Sequence, residues 1–263
     1  MKMSSSPLLI EEINLSHAWA KIILHVIDNP GKEISPLIVS ITGFSEGIPI
    51  ENENIKELLN IALEKNSEQR IGTVANTIFP ESLWRRSRYE RKELFERYTD
   101  RFLPRAKAIE PHKNRRGLYF ERLISFGSGP HNGNQLEHII SEYLARSAVR
   151  RTMFQASIFD PGRDHTRAAQ LPFPCLQHVS FVPHQGTLTL NAFYATQQIF
   201  NKAYGNYLGL CRLGRFMSCE MNLSLSRVNC FVGVAKLDKI SKSSTNLAPV
   251  IAECRRALES KIS

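Results

Sequence analysis

The chain has 263 residues, 42% apolar and 22% charged, an ordinary globular composition with enough length to bury a large core. No apolar run approaches the ~18 residues that span a bilayer, and the five cysteines (175, 211, 219, 230, 254) are odd in number and lack Cys-x-x-Cys spacing. A membrane span, a disulfide framework and a zinc site are therefore all disfavoured, and the +9 net charge directs attention to anionic partners.

The opening MKMSSSPLLIEEIN carries acids where a secretory signal needs a long apolar core, so a cytoplasmic location is expected. Ser16 can cap a helix with Trp19, Ile22, Ile23, Val26 and Ile27 on its apolar face, stopping at Asn29-Pro30-Gly31. Residues 37–42 read as a strand, 54–65 as an amphipathic helix through Ile55, Leu58, Leu59 and Ala62, and 70–79 as a strand before Pro80. A mixed-charge helix is expected over 81–102, a loop over 111–116 and a strand near 118–126. The turn GSGPHNGN lacks the Gly-Lys-Ser/Thr ending of a phosphate loop and reads as a connector into a helix with Leu136, Ile139, Ile140, Tyr143 and Leu144 inward. Strands at 152–158, 177–182, 187–194 and 223–234 surround a helix at 196–216, and a terminal helix covers 249–260. With no internal repeat and no low-complexity linker, the pattern predicts an α/β (α+β) fold, a mixed sheet with flanking helices, in a single domain over 1–263.

The basic excess is concentrated in residues 85–116, which hold 12 Lys/Arg against 5 Asp/Glu, or +7. Within this basic helical insertion or extension (81–116), interleaved Tyr89, Phe95, Tyr98 and Phe102 could stack bases while cations neutralise phosphates, as in single-stranded nucleic-acid binding. Leu94, Tyr98 and Phe102 also fall on one helical stripe, which favours a core-facing helix with a solvated charged face.

Cys175 follows Pro-Phe-Pro at the entrance to a strand, a stiff approach that can aim a thiol at a substrate. Nucleophilic work requires nearby positive charge, and Arg150, Arg151, Arg163 and Arg167 lie just upstream. The bland alternative is a buried structural cysteine. His165, His178 and His184 have neither the spacing of a helical metal pair nor an adjacent carboxylate motif, and no metal site is expected.

Pro174-Cys175 and the run GTLTLNAFYATQQIFNKAYGNYLGL resemble the catalytic core of thymidylate synthases and the related pyrimidine nucleotide hydroxymethylases. The resemblance covers residues 118–237 and leaves the N-terminal third divergent. It implies a thymidylate synthase-like sheet and a homodimer. It also implies a Cys175 thiolate that attacks C6 of a pyrimidine nucleotide, making C5 nucleophilic towards a methyl- or hydroxymethyl-level one-carbon unit. Asn206 falls on the asparagine that reads the pyrimidine edge, where one donor and one acceptor suit O4 and N3–H. Arg150-Arg151 resembles the arginine pair lent to the partner's phosphate site, though such a dipeptide is also an ordinary solvated helix end. Tyr119 in GLYFERL resembles the tyrosine near C5, with Phe120 where the family has glycine. Glu57 in KELLNIAL resembles a glutamate that orders water for proton transfer at O4, against a plain solvated glutamate. Lys32 stands where the family has a phosphate-binding arginine loop.

Departures accompany the matches. Ala195 replaces a phosphate arginine, Thr196 retains only the hydroxyl beside it, Gln198 replaces an aspartate that helps position folate, and Leu176 replaces a histidine. The late His-hydrophobic-Tyr sugar clamp has no counterpart, and the 33 residues after Cys230 leave little room for a folate-covering lid. Methylenetetrahydrofolate use is therefore doubtful. Two functions stay open: a thymidylate synthase-like one-carbon transferase, or a degenerate homologue that binds a nucleotide or nucleic acid without turnover. A covalent cysteine acting on a free base, nucleoside or modified nucleotide is a variant of the first.

Overall fold

A computed structural model of the chain describes residues 6–109, 111–114, 116–146, 148–165, 167 and 174–260. The first five residues of the expected cytoplasmic N-terminus, Glu110 and Arg115 of the basic segment, and the Pro172-Phe173 approach to Cys175 lie outside the described residues.

The described strands are β1 (Leu8–Glu12), β2 (Glu33–Ile34), β3 (Leu37–Ile41), β4 (Phe44–Ser45), β5 (Ile48–Pro49), β6 (Gln155–Ser157), β7 (Leu176–His184), β8 (Thr187–Gln198) and β9 (Ser224–Lys236). Seven form one mixed sheet in the order β1-β3-β9-β8-β7-β6, with β2 on the end of β9, and β4 and β5 pair separately. β1/β3 and β8/β9 are parallel and the remaining pairs antiparallel. Both parallel pairs are joined through helices, as parallel neighbours require. β7 and β8 are joined by a tight turn in which Gln185 and Gly186 both take positive φ.

The helices are α1 (Leu15–Asp28), α2 (Glu53–Lys65), α3 (Ile71–Ile78), α4 (Glu81–Arg86), α5 (Arg91–Arg97), α6 (Leu103–Ile109), α7 (Pro111–Asn114), α8 (Tyr119–Ile124), α9 (Gln135–Ala145), α10 (Pro161–Asp164), α11 (Tyr204–Glu220) and α12 (Ala248–Glu259). Several differ from the sequence expectation. Residues 70–79 are helical because Ile71, Val74, Ala75 and Ile78 bury one face at 3.6-residue spacing, and Asn60 Oδ1 accepts from the Ile71 N–H at its start. Residues 118–126 are likewise a helix, α8, with Phe120, Leu123 and Ile124 inward. Asn14, not Ser16, caps α1, accepting from His17 N, while Ser16 is buried within the helix 2.7 Å from the Tyr204 hydroxyl. The expected helix over 81–102 breaks where Arg88 and Tyr89 adopt positive φ, and it resumes as α5 and a π turn at Tyr98–Phe102. The expected loop at 111–116 begins with α7, and the strand expected over 152–158 is a 3-10 turn (Arg151–Met153) followed by β6. Leu144, expected inward, is exposed. β8 runs on through Thr196 to Gln198, paired with Val234 to Lys236, before a π turn (Ile199–Ala203) opens α11.

One contiguous core takes residues from Ile10 to Ala257. Leu94 and Tyr98 of the basic segment lie in it, with Tyr98 edge-on to Phe120, so that segment is bound to the core by its apolar stripe. Leu188, Leu190, Ala192 and Tyr194 of β8 and Val228, Cys230 and Val232 of β9 bury one face of the sheet. The opposite face carries Phe193 and Phe231, stacked 5.5 Å apart and 38% and 39% exposed. Among the described residues, no helix is long and apolar enough to cross a membrane.

Candidate functional site

The site is built where the end of β8, the start of β7, α3, α8 and α11 converge. Gly205 and Gly209 make this convergence close: a Cβ on Gly205 would lie 2.6 Å from Val74 Cβ, and one on Gly209 would lie 2.8 Å from the Ala75 carbonyl oxygen. Only bare backbone lets α3 approach α11 this nearly. The result is a cavity of about 350 Å³ lined from α3 by Val74 and Thr77, from α8 and its approach by Arg116 to Tyr119 and Arg122, and from the sheet by Pro174, Cys175 and Thr196 to Gln198. Gln69, Lys202 and Asn206 complete it.

Five residues marked in the sequence therefore meet here: Cys175, Tyr119, Asn206, Thr196 and Gln198. Cys175 is half-buried, with its Sγ 3.6 Å from Thr196 Oγ1. The Tyr119 phenol is raised well above its usual pKa, by burial first and then by the Cys175 thiol; the backbone amides of Leu176 and Cys175 and the Arg122 charge pull the other way. It is thus a protonated hydroxyl near neutral pH, beside the sulfur. Asn206 is 6% exposed and turns its carboxamide to the cavity wall. Gln198 Nε2 donates to Asp238 Oδ2 at 2.9 Å, so this carboxamide is held by the turn after β9.

Four marked residues are not brought to the cavity. Glu57 projects from the solvent face of α2, 62% exposed and 3.7 Å from Arg70, because the buried stripe of that helix is Ile55, Leu59, Asn60, Ala62 and Leu63. Lys32 lines a separate groove with Lys236, Asp238 and Lys239, since its carbonyl is tied to Leu237 N. Arg150 and Arg151 are exposed, with Arg151 Nη2 3.1 Å from His184 Nδ1. Arg163 and Arg167 are exposed and outside the lining as well. The cations that do line it are Arg116, Arg122 and Lys202, and no Asp or Glu is among the described lining residues.

Arg122 is buried and forked onto Asp164, with Nη1–Oδ2 2.6 Å and Nη2–Oδ1 2.7 Å. The same guanidinium donates to the carbonyls of Ile158 and Arg116, clamping α8, the end of β6 and the loop before Gly117 together. Burial pushes the Asp164 carboxyl up, but the Arg122 bonds, the Asp160 N–H and the charges of Arg122 and Arg116 outweigh it and leave its pKa low. Gln197, 2% exposed, accepts from the Tyr207 hydroxyl at 2.7 Å, while its Nε2 is buried with no partner.

Sequence reasoning passed over Gln197, Lys202, Arg116 and the Arg122–Asp164 pair. Lys202 had a signal, one helical turn before Asn206. Arg116 was hidden in a run of surface-like cations, and nothing local links Arg122 to an aspartate 42 residues on. The three histidines stay apart: His178 bonds Gln155, His184 meets Arg151 and His165 packs on Phe159. Among the described residues no group of three His, Cys, Asp or Glu is placed to hold a metal, and all five cysteines are unpaired.

Fold and site together define a mixed α/β protein with a cysteine at the wall of a cation-lined, carboxamide-bearing cavity. No family model matches the chain, and no curated protein matches it.

Proposed function

We propose that the cavity binds a pyrimidine nucleotide or related pyrimidine and that Cys175 adds to C6 of its ring, in the manner of the thymidylate synthase and pyrimidine hydroxymethylase superfamily. The observation that carries this reading is that Tyr119, Cys175 and Asn206, far apart in the chain, line one cavity. In this chemistry the thiolate forms a bond to C6 and the ring electrons move to C5 and O4. C5 then attacks a one-carbon electrophile, loses its proton and expels the thiolate. Asn206 fits the O4 and N3–H edge, and Tyr119 carries a hydroxyl suited to relay a proton. Orientation of base against sulfur supplies much of the rate.

A binding protein without turnover is the second reading, and the absence of any carboxylate from the described lining favours it. Native mass spectrometry with 5-fluoropyrimidine nucleotides, with and without methylenetetrahydrofolate, separates the two. An adduct on Cys175 supports the enzyme, and its folate dependence identifies the donor. Neither adduct nor C5 hydrogen exchange with any pyrimidine would leave only the binding role.

The reading includes a homodimer. The open sheet face around Phe193 and Phe231 offers apolar surface to a second copy, and Arg150 and Arg151 stay outside their own cavity, which supports lending them. Mixing Arg151→Ala with Cys175→Ser chains is expected to restore partial adduct formation, because a mixed dimer holds one intact pocket. A monomer at micromolar concentration, or no recovery after demonstrated subunit exchange, would refute it.

Folate binding is expected to be weak, and ordinary deoxyuridylate a poor ligand. Gln198 carries no charge and is engaged by Asp238, and Ala195 offers no guanidinium. Losing one charge-assisted phosphate bond costs about 1.5–3 kcal/mol, roughly tenfold to a hundredfold in affinity. Lys32 does not compensate from its separate groove, nor does Arg212, which is held by Glu81 and Asn76. Calorimetric titration checks this: micromolar deoxyuridylate binding strengthened by folate would overturn it.

A further inference from the structure

We propose that Arg116 and Lys202 form an anion subsite beside Cys175 that takes a carboxylate or phosphate group attached to the ligand near its base edge. The proposal deepens the pyrimidine reading but is tested independently of it.

Three cations line the cavity, and their situations differ. Arg122 is forked onto Asp164 at 2.6 and 2.7 Å, so its charge is answered within the fold. Arg116 shares that aspartate only at longer range, and its Nη1 is buried with no hydrogen-bond partner among the described residues. A buried guanidinium nitrogen left unbonded costs free energy that a bound anion would recover. Lys202 Nζ donates to Gln69 Oε1 at 3.0 Å, an uncharged acceptor, and an ammonium has further donors to offer. With no carboxylate in the described lining, the field inside favours negative charge.

The position of the subsite follows from the helix. Lys202 precedes Asn206 by four residues and both reach the same cavity, so the ammonium neighbours the carboxamide that fits a pyrimidine edge. Gln197 adds a second signal: its Nε2 is buried and unpartnered at the same wall, a donor awaiting an acceptor. An anionic group on or close to the base satisfies all three. A 5′-phosphate would lie towards Thr196 and Ala195, where the chain offers a hydroxyl and no guanidinium.

The test compares alkylation of Cys175 by iodoacetate, an anion, and by iodoacetamide, its neutral analogue, followed by peptide mass spectrometry with exposed Cys219 as internal reference. The iodoacetate-to-iodoacetamide rate ratio at Cys175 is expected to exceed that at Cys219 and to fall with added inorganic phosphate. It should drop roughly tenfold in Arg116→Gln and in Lys202→Gln, the size expected for one unit charge several ångströms away in a partly buried site. The Cys219 ratio should stay constant and report an intact fold. If either variant fails to fold, the other carries the comparison. A Cys175 ratio unchanged in the variants, or insensitive to phosphate, would overturn the subsite.

Two ligand arms then identify the source. 5-Carboxydeoxyuridine against deoxyuridine reads a base-linked carboxylate, and deoxyuridylate against deoxyuridine reads the phosphate. An anion advantage lost in both variants supports the subsite and names its ligand. A cation-dependent alkylation ratio without binding of any pyrimidine would uphold the subsite and refute the pyrimidine reading.

Discussion

Replacing Cys175 with serine is expected to abolish adduct formation and C5 hydrogen exchange, by roughly three orders of magnitude or more, while fold and assembly survive. A serine hydroxyl is a weak nucleophile without an adjacent base. The nearest side-chain oxygen, Thr196 Oγ1 at 3.6 Å, is another neutral hydroxyl, and Tyr119 is held protonated. Nothing at this wall can deprotonate a serine as a histidine would. The substitution removes little volume from a half-buried position, so melting should shift by no more than about 1 kcal/mol in stability. Exchange or turnover retained at the wild-type rate would eliminate the thiolate mechanism. Loss of pyrimidine binding together with activity would point instead to a structural effect.

Asp164→Asn is expected to be the most destabilising single change at the site. Asp164 is fully buried and accepts two bonds from Arg122 and one from the Asp160 N–H, so the variant strands a buried guanidinium. Breaking such a pair costs about 3–5 kcal/mol, a fall in melting temperature on the order of 10 °C. The sign of the pH dependence follows from the lowered carboxyl pKa. In the unfolded chain Asp164 titrates near 3.8, and in the folded protein below that. Its contribution is therefore complete above the unfolded value and is lost as pH falls through the folded one. Wild-type stability should decline on acidification through this window, and the variant should show a shallower decline. Thermal melts of both chains between pH 3 and 7 check the size and the slope. Equal melting temperatures near neutral pH would show that the pair contributes no net stability.

The part of the fold that could be read from the chain was the part with unambiguous period. Alternation through Leu188, Leu190, Ala192 and Tyr194 marked β8, and the stripe Trp19, Ile22, Ile23, Val26 marked α1. Residues 70–79 and 118–126 misled because short apolar segments rich in β-branched and aromatic residues look alike in either state. Burial against α11 and the rest of the core decided for helix. The end of β8 was misplaced because Thr196 to Gln198 stay extended only through pairing with β9, a partner some forty residues away.

By itself the sequence determined the covalent identities: a thiol after Pro174, a phenol at 119 and a carboxamide at 206, chemistry that a short motif can carry. Only the tertiary structure decided which charges join them. Glu57 was turned to solvent by its own helix's apolar stripe, and Lys32 was held in another groove by its backbone. Arg116, Lys202 and Gln197 entered because helix packing over Gly205 and Gly209 and a buried Arg122–Asp164 fork fixed where their backbones stand. The physical reason is that a side chain's type is local. Its electrostatic neighbours are set by contacts between residues remote in sequence, which no spacing along the chain encodes.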